Sequence, residues 1–273
     1  MRHLEGVRYA TPLREGGSLP AIVETDTGEL FVVKFRGAGQ GHRALVAEAL
    51  AAALAEELGL PVAEPAIIHL DEGFGRSEPD PEIQDILKKS VGENFGLAFI
   101  SGALPFDPVV NKDIDPELAA DIVWFDALIT NVDRSPRNVN LLVRDGELWM
   151  IDHGASFFFH HSWAGWRDRI QSRFPQIKDH VLLHLAGDLR AADARLRPKL
   201  DDAALTRAAS VIPDSWLGDE EELFPDIESH RQAYVEYLRE RLDGPRAWLD
   251  EAIEAKRLGP QKHEPRVTRR RVV

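Results

Sequence analysis

A chain of 273 residues with 44% apolar and 29% charged residues, 20 glycines and 17 prolines has the make-up of a folded globular protein, which excludes collagen-like and wholly disordered classes. It contains no cysteine, so disulfide frameworks, thiolate nucleophiles and cysteine-ligated metal centres are excluded too. A formal charge of −13 disfavours any broad nucleic-acid or anionic-membrane footprint.

The opening residues, MRHLEGVRYATPLREGG, lack the apolar core of a signal peptide, and no run of about 18 apolar residues occurs, so a soluble cytoplasmic protein is expected. The first hundred residues read as β-rich. Strands are expected at 5–11, at Ala21–Thr25 and at Leu30–Phe35, the last two joined by Asp26-Thr27-Gly28, which has hairpin-turn chemistry. From His42 to Leu58 strong helix formers predominate, and Gly59 with Pro61 supplies the stop. Two short apolar strands follow, Ala66–Leu70 and Phe95–Ile100, with a loop and a small helix around Pro79 and Pro81 between them. The expectation is a five-stranded sheet with one helix packed on it.

After Gly102 the chain turns helical. Asp115-Pro116-Glu117 combines a capping carboxylate, a proline at the first helical position and an acid in the first turn, and it opens a helix over Leu118–Thr130. A polar loop, Asn131 to Asn138 (NVDRSPRN), leads to two short strands, Val139–Val143 and Leu148–Ile151, around the turn Asp145-Gly146. Residues 175 to about 258 read as several amphipathic helices broken at Pro198, Pro213, Pro225 and Gly244-Pro245. Residues 256–273 carry seven Lys or Arg and one Glu, and they read as a basic, solvated tail.

The densest polar cluster on loops spans Asn131 to Asp152. Asp133 and Asn138 lie five positions apart in one irregular loop, and the hairpin can return Asp152 beside Asn138. Two oxygen ligands plus a free carboxylate suit phosphoryl transfer: Mg²⁺ takes a few carboxylate or amide oxygens plus phosphate, and another carboxylate positions the attacking hydroxyl. Taken singly, each aspartate reads more readily as a turn or cap residue. Lys34, in the middle of an otherwise apolar strand, reads as a site residue or as a cation on an exposed strand face.

The order of these residues resembles a known family. Asp133, Asn138 and then Ile151-Asp152-His153-Gly154 look like the catalytic-loop and metal-binding motifs of the protein-kinase-like superfamily. Asp133-Arg134, without His-Arg ahead of the aspartate, is similar to HipA-like kinases and phosphatidylinositol kinases, and the early Glu15-Gly16-Gly17-Ser18-Leu19-Pro20 resembles the phosphate loop of HipA-like proteins more than that of lipid kinases. The resemblance covers residues 5–160. It implies an α+β, two-lobed protein-kinase-like fold: a small β-rich N-terminal lobe at 1–101, a mainly helical C-terminal lobe at 102–255 and a basic tail at 256–273. It implies ATP and Mg²⁺ as cofactors, with Asp133 as the catalytic base and Asn138 and Asp152 as metal ligands. Lys34 would contact the phosphates and pair with Glu48, the acid among Ala47, Ala49 and Leu50, in preference to Glu56 and Glu57. Gly16, Gly17 and Ser18 would approach the phosphates, although their plain reading is a hairpin turn. Phe99, Ile100 and Ser101 would form the hinge facing adenine. The chain departs from protein kinases in having His153 for Phe and no Ala-Pro-Glu motif. The implied activity is transfer of the γ-phosphoryl group of ATP to a hydroxyl of a protein serine or threonine. A small-molecule or lipid hydroxyl and a nucleotide-binding pseudokinase are alternatives, and the oligomeric state is open.

Other constellations are weaker. Gly37-Ala38-Gly39-Gln40-Gly41 after a strand, with Asp71 ending the next, outlines an NAD-dependent oxidoreductase, but the third glycine is misplaced and strand–helix alternation stops. His160-His161 and the pair His180 and His184 lack a third ligand or an accompanying glutamate, and no Gly-x-Ser-x-Gly elbow occurs. Trp124, Trp163 and Trp166 read as packing residues.

Overall fold

The computed structural model describes residues 1–13, 19–39, 41–76, 78–111, 113–218 and 223–259. Gly16, Gly17 and Ser18, and the tail from residue 260 onward, lie outside these described residues.

The amino-terminal part is a small barrel. Strands β1 (Arg2–Pro12), β2 (Ala21–Thr25) and β3 (Leu30–Lys34) run antiparallel in sequence, and helix α1 (Gly41–Leu58) follows. β4 (Pro65–Leu70), helix α2 (Pro81–Lys89) and β5 (Gly92–Ala98) complete the unit. The strand order is β1-β2-β3-β5-β4, and the five-stranded sheet closes on itself through a parallel pairing of β1 with β4. β3 is antiparallel to both neighbours, which removes the parallel strand–helix–strand unit that a dinucleotide fold requires. The last strand differs from expectation. It starts at Gly92 and stops at Ala98, because β4 pairs back as far as Leu70↔Gly92 and the buried Asn94 turns its amide onto the Ser90 and Gly92 carbonyls.

Alternation along the strands sorts side chains to two cores. Phe31 and Val33 join Leu4, Val23, Ile68 and Leu70 inside the barrel. Their neighbours Val32 and Lys34 lie opposite Leu97 and Phe95, on the face turned to α1. The barrel is tight: a Cβ on Gly96 would stand 2.8 Å from a methylene of Ile68. Ile67, Phe95 and Leu97 belong to the larger core, together with α1 and the helical part.

That helical part begins after β6 (Leu104–Pro105) with α3 (Pro116–Ile129), capped by Asp115, whose Oδ1 accepts from the Glu117 N–H at 3.0 Å. Strands β7 (Leu141–Arg144) and β8 (Glu147–Met150) form a hairpin with β6 on its edge. The Met150 N–H donates to the Pro61 carbonyl at 2.8 Å, so the hairpin docks on the segment leaving α1. Short 3₁₀ turns occupy residues 158–179, where regular helices were expected from 175. Regular helix resumes with α4 (Leu189–Leu196), α5 (Asp202–Ser210), α6 (Ile227–Asp243) and α7 (Ala247–Leu258). α7 therefore extends into the expected tail, where Lys256 donates to the Gly187 carbonyl at 2.5 Å. Trp124 is buried edge-on against Trp248.

Candidate active site

Two groups of side chains meet where the barrel faces the helical part. The first is built on Lys34, which the strand's alternation points at α1. Its ammonium pairs with Glu48 of α1 and, at 2.5 Å, with Oδ1 of Asp152. Glu48 is wholly buried, and its second oxygen accepts the His153 N–H at 3.0 Å. Neither Glu56 nor Glu57 takes part; Glu57 pairs with Arg207 on the surface. Burial works against the Lys34 ammonium, but the two carboxylates outweigh it and raise its pKa. Burial likewise works against the Asp152 carboxylate, and Lys34 overcomes it and holds the group below its ordinary range. Glu48 is pushed up, by burial first and by the nearby Asp152 second. One cation thus serves two carboxyl groups.

Asp152 directly follows β8 with a backbone φ of +54°, the left-handed region that aspartate tolerates better than bulkier residues. This twist turns its carboxylate out of the strand direction; the side chain is 38% exposed, against 0% for Glu48. A Cβ on Gly154 would lie 3.0 Å from Glu48 Oε1, so the glycine keeps room beside the buried carboxyl.

The second group sits on the loop after α3. Thr130 adopts a left-handed conformation and ends the helix, its N–H and that of Asn131 both donating to the Asp126 carbonyl. Asn131 Oδ1 accepts the Asp133 N–H at 3.1 Å, and Ser135 and Asn138 exchange two backbone hydrogen bonds that close a tight turn over Pro136 and Arg137. Asn138 Nδ2 donates to Asp133 Oδ2 at 2.7 Å. The loop thus presents Asp133 and Asn138 side by side.

Beneath it lies a cluster that the sequence reading missed. Asp126, in the middle of apolar α3, accepts from Asn131 Nδ2 (3.0 Å), Arg134 Nε (2.6 Å) and His180 Nε2 (2.8 Å). The Asp126 and Arg134 side chains are both wholly buried. Burial alone would raise the Asp126 pKa; Arg134 and His180 reverse the sign and hold it well below the usual range. Burial keeps His180 neutral by lowering its pKa against the pull of Asp126. Arg134 also donates to the Asn140 and Ile151 carbonyls, and the Ile151 N–H donates to the same Asn140 carbonyl at 3.1 Å. One guanidinium therefore ties the Asp133 loop to the strand end that carries Asp152. A lone aspartate inside the run Ile122-Val123-Trp124-Phe125-Asp126-Ala127-Leu128-Ile129 was the available signal.

Phe99, Ile100 and Ser101 lie at the end of β5, next to the strand carrying Lys34. The Phe99 N–H is already given to the Leu30 carbonyl at 2.8 Å, so it is not a donor for a ligand. His160 faces the Tyr234 hydroxyl at 3.1 Å inside an aromatic cluster with Phe157 and Phe159.

Comparison with known proteins adds the context. Residues 7–248 match the sequence profile described as "HipA-like kinase". The fold is similar to the crystal structure of a Helicobacter pylori proinflammatory kinase, CtkA, at 14% sequence identity and a TM-score of 0.55. That match covers 93% of this chain and 98% of the other. No curated protein matches the sequence.

Proposed function

The chain belongs to the HipA-like kinase family, and from that premise we propose that it transfers the γ-phosphoryl group of Mg-ATP to a hydroxyl, with a protein serine or threonine as acceptor. The barrel and the helical part are then the two lobes of a kinase-like fold, with nucleotide between them. The observation that carries this reading is the bridge at Lys34: a lysine from the barrel, a glutamate from α1 and an aspartate from the helical part share one point. Chemically, that point offers a cation for phosphate oxygens and a carboxylate for a metal.

The donor set fits Mg²⁺. Asp152 brings a part-exposed carboxylate, and Asn138, having given its NH₂ to Asp133, is left with an outward amide oxygen; two hard oxygens plus phosphate and water are what this ion takes. When bound, it would neutralise charge on the transferring phosphates. Lys34 positions the phosphates, and Glu48 keeps Lys34 in place. Asp133 receives the acceptor's proton as its O–H bond breaks. The acceptor oxygen bonds to the γ-phosphorus while that atom's bond to the bridging oxygen breaks, and ADP leaves. Arg134 fixes the distance between base and metal-binding carboxylate through its bonds to Asn140 and Ile151.

Two isosteric variants test the roles. Asp133→Asn removes the proton acceptor but no metal ligand, so calorimetric Mg-ATP affinity persists while single-turnover transfer falls roughly 10²-fold or more. Asp152→Asn weakens the Mg²⁺-dependent part of ATP affinity together with transfer, and raised Mg²⁺ restores some of both. Loss of Mg-ATP binding in Asp133→Asn with retention in Asp152→Asn would reverse the assignment.

A further inference from the structure

A groove of about 620 Å³ opens on the outer side of the Asp133 loop. Val132, Ser135, Pro136 and Arg137 form its inner wall, and Lys178 and His180 come from the facing segment. Asp133 and Asn138 do not line it, although their chain neighbours Val132 and Arg137 do, so the groove lies beside that pair. At its far end α7 contributes Glu251 and Glu254, which are already engaged: Glu251 with Arg173 at 3.3 Å and Glu254 with Arg257 at 2.6 Å. Arg137 and Lys178 are exposed and make no ion pair among the described residues. Asp179 is the carboxylate that offsets them in part. In a chain of net charge −13, two open cations flank the catalytic loop, and Val132, 40% exposed, supplies an apolar contact next to Asp133 itself.

We infer that this groove holds the acceptor polypeptide, with an acidic side chain set against Arg137 and Lys178 and an apolar side chain against Val132. The inference rests on the phosphotransfer reading and specifies its substrate. Arg137 stands in the tight turn closed by Ser135 and Asn138, four residues after Asp133. Four residues of chain separate Arg137 from Asp133 by no more than about 14 Å, so the acidic residue stands within roughly four positions of the acceptor hydroxyl, at the ~3.3–3.6 Å that an extended peptide spans per residue. Charge complementarity at a rim governs partner choice more than raw affinity.

The test is a positional-scanning library of serine and threonine peptides labelled from Mg-ATP. The wild-type chain is expected to prefer Asp or Glu over Lys by roughly tenfold at one flanking position, the ratio that about 1.4 kcal/mol gives. The double variant Arg137→Glu/Lys178→Glu reverses that preference, raising KM for acidic peptides with little change in kcat, and its melting temperature stays that of the wild type because both side chains are exposed. No charge preference in the wild type, or an unchanged acidic preference in the double variant, overturns the inference. Absence of any labelled peptide overturns it too. Mg²⁺-dependent ADP formation, read in the same samples, shows separately whether phosphotransfer itself stands.

Discussion

The two charged clusters of this protein are neighbours in space and opposites in construction. In the sealed cluster below the loop, one aspartate meets one arginine, and a neutral histidine and an asparagine fill the remaining oxygen sites. At the cleft, one lysine is shared by two carboxyl groups, one buried and one part-exposed. A matched buried pair gains nothing by changing partners and acts as a fixed strut. A shared lysine leaves a carboxylate that another cation can claim. Stoichiometry of charge, more than burial, separates the part that holds the site from the part that works.

Asp126→Ala is the substitution expected to do the most damage. It leaves Arg134 buried without a counter-ion, and stability is expected to fall by about 3–5 kcal/mol, seen as a lower denaturant midpoint at unchanged slope. A loss below about 1 kcal/mol would show that the sealed cluster is not a strut. Lys34→Met leaves buried Glu48 with the His153 N–H as a donor, and its decisive readout is the response to ligand and not stability alone. The substitution should abolish most of the stabilisation that Mg-ATP gives the wild type, about 2.7 kcal/mol at a hundred times Kd. A full thermal shift in the variant would make Lys34 a strut like Arg134.

His160 is a third case, buried with no carboxylate partner among the described residues. Burial, then the neighbouring His161 and Arg43, lower its pKa well below that of an ordinary imidazole. As pH falls below about 6.5 the unfolded chain takes up this proton while the folded one does not. The wild type therefore loses about 1.4 kcal/mol per pH unit from this group alone until the folded pKa is reached. His160→Gln keeps a partner for Tyr234 and removes that share of the acid slope, measured by urea titrations from about pH 7 to about pH 5. Glu57→Ala sets the lower bound: it breaks a two-pronged pair with Arg207, whose side chain is 60% exposed, and should cost no more than about 1 kcal/mol by the same titration.

Local chemistry made much of this fold legible. β2 and β3 follow from alternation and a turn, and α3 from its cap; Glu48 is preferred to Glu56 and Glu57 for its apolar neighbours Ala47, Ala49 and Leu50, once the family resemblance calls for an acid on this helix. What stayed hidden depends on distant partners. The closure of the barrel needs a parallel pairing between Arg2–Glu5 and residues more than sixty positions later, which no local period encodes. Gly92-Glu93-Asn94 has no apolar pattern, yet β4 recruits it as strand. The contact of His180 with Asp126 spans 54 residues, and nothing local tells Arg134, beside Asp133, that it will be buried against Asp126. The site's order along the chain could be read; the machinery that fixes its spacing could not.

The burial of α1 has a consequence for how the chain comes into being. Thirteen of its residues are buried, and most of what covers them lies in the helical part; Arg207, which clamps its end, is synthesised 150 residues after Glu57. At ribosomal speeds of about 5–20 residues per second, a helix of 18 residues, 12 of them alanine, leucine or valine, waits on the order of ten seconds for its cover. Residues 1–101 made alone would carry that wait indefinitely, so the barrel is a piece of this protein that cannot be harvested by cutting at its border.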